Sequence, residues 1–192
     1  MEPATFPTGE VFDDDYLYFY DTFLTGEQTQ ADADCIVELL GLRAGMRVLD
    51  LACGYGRIAN ALASRGVEVV GLDENERFLE RARREAPGDK APVEYVRGDM
   101  RSLPWRDEFD AVVCWFTSFG YFTDAGNFAV LTEAFRALRR GGRLLIDTQN
   151  RDWFERAGFT GVAGCSAPNT ALTLESRRMM VIGRKPELSG DG

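Results

Sequence analysis

Two glycines set two positions apart, Gly54 and Gly56, follow a short apolar run (Val48, Leu49, Leu51) that carries one acid, Asp50. A buried strand running into a tight turn and then a helical pattern brings backbone amides to a place where a ligand can lie against them. Without a Cβ, Gly54 and Gly56 let that turn take left-handed dihedrals. A second acid, Asp73, closes the next apolar run nineteen positions after Gly54. That spacing suits a carboxylate accepting both hydroxyls of a ribose, and Asp73 could equally cap the helix behind it. A third acid, Asp99, stands between Gly98 and Met100. An acceptor for an amino group beside a flexible apolar surface fits a nucleobase, although Gly-Asp is also ordinary turn chemistry.

Gly54-Tyr55-Gly56-Arg57-Ile58-Ala59 also fits the dinucleotide fingerprint in its Gly-x-Gly-x-x-Ala form. Asp50 argues against a pyrophosphate, because a carboxylate fixed before the glycine turn repels an anion in a low-dielectric cleft. The same charge suits a cation. S-adenosylmethionine carries a sulfonium and an ammonium against one carboxylate, so the acid favours it over NAD. A metal centre is disfavoured: there is no histidine, and Cys35, Cys53, Cys114 and Cys165 stand far apart with no Cys-x-x-Cys pair.

These residues need elements to hold them. Apolar spacing predicts a helix over 31–42, a strand ending at Leu51, a helix over 57–65 stopped by Gly66, a strand over 67–73 and a helix over 74–86. Strands over 93–97 and 109–116 follow, the second a near-continuous apolar run expected of a central parallel strand covered on both faces. A helix over 127–140 capped by Gly141 and Gly142 leads to a strand over 143–147. Beyond it the pattern gives a helix stub over 152–157 and strands near 160–166 and 177–184. Strands alternating with helices imply a doubly wound α/β domain with its ligand loops at the carboxyl ends of a mostly parallel sheet.

The domain is expected over 31–186, behind a lead-in and aromatic cap over 1–30 and ahead of a flexible tail over 187–192. The aromatic stretch from Tyr16 to Phe23 gains a few kcal/mol per ring by packing on the domain, either as core cover or as a helical cap over an active site. Acids exceed bases by 31 to 22, for a net charge of −9. That disfavours nucleic acid, which is bound through clustered Lys and Arg. The longest apolar run is far too short to span a bilayer, and no signal peptide opens the chain, so a cytoplasmic protein with reduced thiols is expected.

In order along the chain, Val48 to Gly56, Leu72-Asp73, Gly98-Asp99-Met100, and Phe109 to Phe116 followed by Leu138 to Leu144 resemble the class I S-adenosylmethionine-dependent methyltransferases, in particular the small-molecule methyltransferase domain group. The resemblance covers about 36–147. It implies a Rossmann-like, seven-stranded sheet whose last strand runs antiparallel. It also implies that Asp50, Ala52, Gly54, Gly56, Asp73, Asp99, Met100 and Cys114 hold the cofactor. Within that set Ala52 and Gly54 would line the methionine moiety, Asp73 the ribose, Asp99 the adenine amino group and Met100 the adenine face. Ala52 stands where the family more often has glycine. Relatives with an aromatic run like Thr117 to Phe122 usually carry a longer, strand-rich segment after the fifth strand, which is short here.

Methyl transfer from a sulfonium is an in-line displacement, so the protein's task is positioning and exclusion of water. A hydroxyl nucleophile needs a base as well. With histidine absent, Tyr16, Tyr20, Tyr121, Asp124 and Asp147 remain as candidates, of which Tyr20, Tyr121 and Asp147 are placed best. Tyr16, Trp115 and Phe119 are expected at the substrate, a small molecule with an apolar part, on a monomer or homodimer. Two rival readings remain: a catalytically silent domain of this fold that binds or regulates, and an NAD-linked oxidoreductase.

Overall fold

The computed structural model describes residues 24–88, 93–147, 154, 156–167, 170–171 and 179–187. Tyr16, Tyr20 and the aromatic cap lie outside the described residues, as does most of the helix stub expected over 152–157. Strands β1 (Arg47–Leu51), β2 (Glu68–Asp73), β3 (Val93–Arg97), β4 (Phe109–Cys114), β5 (Leu138–Asp147), β6 (Thr160–Ala167), β7 (Thr170–Ala171) and β8 (Met180–Arg184) form one sheet in the order β3-β2-β1-β4-β5-β8-β6-β7. The five strands from β3 to β5 are parallel, while β8 runs antiparallel to both β5 and β6. The seven expected strands are joined by the two-residue β7 at the edge.

Alternation along the strands divides the core into two layers. Val48, Val69, Ala111 and Val113 face α1 (Gly26–Leu40), α2 (Arg57–Ala63) and α3 (Glu76–Arg84) on one side. Leu49, Leu51, Val70, Leu72 and Val112 face α4 (Asp124–Ala137) on the other. Burial on both faces is why β1 and β4 read as almost unbroken apolar runs. Order reverses between β1 and β4, so the crevice beyond their carboxyl ends is the place where a doubly wound sheet accepts a ligand.

Three element boundaries differ from the sequence reading. Helix α1 begins at Gly26, inside the stretch assigned to the cap, because the Thr25 side chain accepts the Gln28 N–H and starts the helix there. Helix α4 starts at Asp124 behind its Thr123 cap and stops at Ala137, and the chain turns extended at Leu138. The apolar spacing continues through buried Leu138, so periodicity alone carried the helix too far. Gly141 is no helix cap; at φ +75° it sits in an irregular stretch of β5, where its N–H donates to the Lys185 carbonyl.

Candidate functional site

Between β1 and α2 the backbone enters the left-handed region three times, at Ala52 (φ +54°), Gly54 (φ +55°) and Gly56 (φ +81°). For Ala52 this conformation costs about 1–2 kcal/mol. The preference for glycine at this position is thus a backbone requirement. Gly56 is held for a different reason: a Cβ there would stand 2.2 Å from the Tyr95 hydroxyl oxygen and 2.8 Å from the Ala82 Cβ. Its role is to let α2 and α3 close on Tyr95, whose hydroxyl donates to Asn60 Oδ1 at 2.7 Å.

Asp73 fastens the turn. Its Oδ2 accepts the Gly54 N–H at 2.8 Å and its Oδ1 accepts the Asn75 N–H at 2.8 Å. It is not the helix cap, since Asn75 caps α3 by accepting the Arg77 and Phe78 N–H groups. Burial pushes the Asp73 carboxyl above its ordinary range, against the pull of those backbone donors.

Asp50 is only 2% exposed. The Ala59 N–H bonds its carboxylate, but Oδ2 is buried without a hydrogen-bond partner. Desolvation dominates and raises its pKa to about 7; Arg57 pulls it down and Asp73 pushes it up. The negative charge inferred from sequence is therefore only partly present at neutral pH until a cation arrives to hold it.

Two clefts open along the carboxyl edge of the sheet, and Ala52 and Ser118 line both. One, of about 520 Å³, is lined by Asp73, Asp99, Met100, Tyr121 and Phe122. The other, of about 440 Å³, is lined by Asp50, Tyr55, Arg57, Trp115 and Phe116. The structure thus brings Asp50, Ala52, Asp73, Asp99, Met100 and Trp115 together. It does not bring Cys114 there: that thiol is fully buried in the core and lines neither cleft. Phe119 packs against the same core layer, away from both clefts.

The base candidates are dispersed. Tyr121 lines the cleft with Asp73 and Asp99 and is not among the residues around Asp50 and Trp115. Asp124 lies in the first turn of α4 and lines a separate surface hollow with Phe128 and Arg156. Asp147 is buried at the end of β5, where its Oδ2 accepts the Thr117 N–H at 3.3 Å. That bond supports a strained turn, for Phe116 and Thr117 both take positive φ (+59° and +56°).

Sequence reasoning missed three participants. Arg57 was read only as a fingerprint position, yet it lines the cleft and forms a buried ion pair with Asp32 of α1 at 2.8 Å. Its guanidinium also lies 5.6 Å from the centre of the Phe116 ring. Ser118 sits where the clefts meet. Arg101 clamps Asp99. An arginine two positions beyond a ligand-loop acid was the available signal for the last of these.

Among the described residues no helix is long and apolar enough to cross a membrane, and no group of three or more acids and cysteines could hold a metal ion. Residues 48–142 match the family described as "Methyltransferase domain". A demethylmenaquinone methyltransferase of Clavibacter sepedonicus is 43% identical over 104 residues, covering 54% of this chain and 41% of that protein. The chain thus spans less than half the length of that relative. The crystal structure of a TehB-like SAM-dependent methyltransferase from Corynebacterium glutamicum superposes with a TM-score of 0.72 at 20% identity, covering 90% of this chain and 97% of the other. SAM-bound CalS10, an amino pentose methyltransferase from Micromonospora echinaspora, gives 0.67 at 20% identity, covering 91% and 98%.

Proposed function

Since residues 48–142 belong to the class I, S-adenosylmethionine-dependent methyltransferase domain family, we propose that this chain methylates a small-molecule acceptor. The observation that carries the reading is the buried Asp50 oxygen without a partner at the rim of the Trp115 cleft. A desolvated carboxylate left unsatisfied is costly unless a cation completes it. The residues fit the cofactor: Asp50 would hold its ammonium end, Ala52 and Gly54 would lie along the methionine, and Asp73, Asp99 and Met100 would take the nucleoside.

S-adenosylmethionine supplies an electrophilic methyl group on a sulfonium that is already a good leaving group. The chain's own task is placement. The turn from Ala52 to Gly56 fixes the donor site, and Trp115 and Phe116 exclude water and orient an acceptor with an apolar part. With Asp147 committed to the Thr117 amide and Tyr121 on the other cleft, the arrangement favours an amine or an acidic carbon as nucleophile, which needs no strong base. The relative named for demethylmenaquinone supports a small-molecule acceptor.

Calorimetry with S-adenosylmethionine and S-adenosylhomocysteine tests the reading. Saturable heat from both, weakened at least tenfold by Asp50→Asn for the cationic donor, is expected. No heat from either at millimolar ligand would end it. Quenching of the tryptophans by NADH but not by S-adenosylhomocysteine would replace it with the oxidoreductase.

A further inference from the structure

Arg101 reaches back two residues and grips the Asp99 carboxylate with a fork. Its Nη2 donates to Oδ2 at 2.6 Å and its Nε lies 3.0 Å from both oxygens, while its own amide donates to Oδ1 at 2.8 Å. The same guanidinium lies 4.3 Å from the centre of the Phe122 ring. Asp99 comes from the loop after β3 and Phe122 from the loop after β4, and both line the larger cleft. Arg101 does not line it; it stands behind the two and couples them.

A planar cation that is bidentate to a carboxylate and stacked on a ring fixes both in orientation, which a lysine at the same place would not do. It also holds the Asp99 carboxyl below the usual carboxylate range, so the group remains a pure acceptor across neutral pH. As a stabilising contact the pair counts for little, because the Arg101 and Asp99 side chains are 44% and 41% exposed.

We propose that Arg101 is a positioning residue that makes the nucleobase end of the cleft select an exocyclic amino group and reject an oxo group, by presenting Asp99 as an oriented acceptor and Phe122 as a fixed wall. The inference rests on the cofactor reading above and adds to it the residue that sets its base specificity. An amino group donates to the presented carboxylate, whereas a 6-oxo group would face it lone pair to lone pair. One hydrogen bond to a charged group corresponds to roughly a ten- to hundredfold difference in affinity.

The test is calorimetric binding of S-adenosylhomocysteine and of its 6-oxo counterpart, S-inosylhomocysteine, to the wild type, Arg101→Met and Arg101→Lys, with thermal unfolding of each. The wild type should prefer the amino ligand by about ten- to a hundredfold. Arg101→Met should weaken the amino ligand by about tenfold and leave the oxo ligand nearly unchanged, so that discrimination collapses while the melting temperature holds. Arg101→Lys should fail to restore it. A variant with an undiminished amino-to-oxo ratio, or one binding the amino ligand more tightly, would overturn the assignment alone. A wild type that binds neither ligand would overturn the cofactor reading and this inference together.

Discussion

The Gly54 N–H points at Asp73 Oδ2 across 2.8 Å, and this bond ties the turn after β1 to the carboxyl end of β2. The other oxygen takes the Asn75 N–H at the same distance. One carboxylate therefore shapes the donor turn and the start of α3 at once, while remaining on the wall of the nucleoside cleft.

Because both oxygens accept backbone donors, an amide cannot replace the acid. Asp73→Asn must turn its NH₂ toward one N–H and leave that donor unsatisfied. A loss of about 1–3 kcal/mol in urea unfolding is expected, together with weakened nucleoside binding. Unchanged stability would mean that the turn does not depend on this bond.

Asp50 sets a pH dependence whose sign follows from burial. Its folded pKa of about 7 lies above the ordinary 3.8, so the folded state binds the proton more tightly. The favourable contribution is fully present below about pH 4 and is lost as pH rises through about 7. Asp50→Asn, which mimics the protonated acid, should match the wild type near pH 5 and exceed its stability at pH 8 in urea titrations. Binding of the cationic donor runs the other way, tightening with pH through about 7 in the wild type and staying flat in the variant.

Ala52 occupies a left-handed conformation that glycine takes without strain. Ala52→Gly should stabilise the fold by about 0.5–1 kcal/mol after the entropy cost of glycine, seen as a melting temperature raised by roughly 2–4 °C. Ala52→Val should destabilise, since a branched side chain tolerates that backbone least.

The Arg57–Asp32 pair is buried on both sides, with side chains 9% and 6% exposed. Arg57→Met strands a buried carboxylate and should cost about 3–5 kcal/mol. The double variant Arg57→Met with Asp32→Leu should cost less than either single change. A double-mutant cycle on thermal or urea unfolding reads the coupling, and strict additivity would show that the pair is not a unit.

The strand-turn-helix around Asp50 and Gly54 was legible in the chain because local chemistry dictates it: an unbroken apolar run must be buried on both faces, and glycines must bear the left-handed turn. The acids at strand ends, the doubly wound order and the loops gathered at one edge followed from the same periodicity. What the order of residues left open is what each acid faces. Only packing shows that Asp73 is bound to two amides, that Asp50 Oδ2 has no partner, and that Cys114 points into the core although its neighbour Trp115 lines a cleft. Arg57 meets Asp32 across 25 positions of sequence, and no spacing rule links an arginine after a glycine turn to an acid on the preceding helix. Local propensity and alternation are properties of neighbours along the chain, so the sequence determined the elements and the edge where they converge. Desolvation and charge pairing depend on neighbours in space, so the tertiary structure decided which carboxylate is spent on the fold and which is left to meet a ligand.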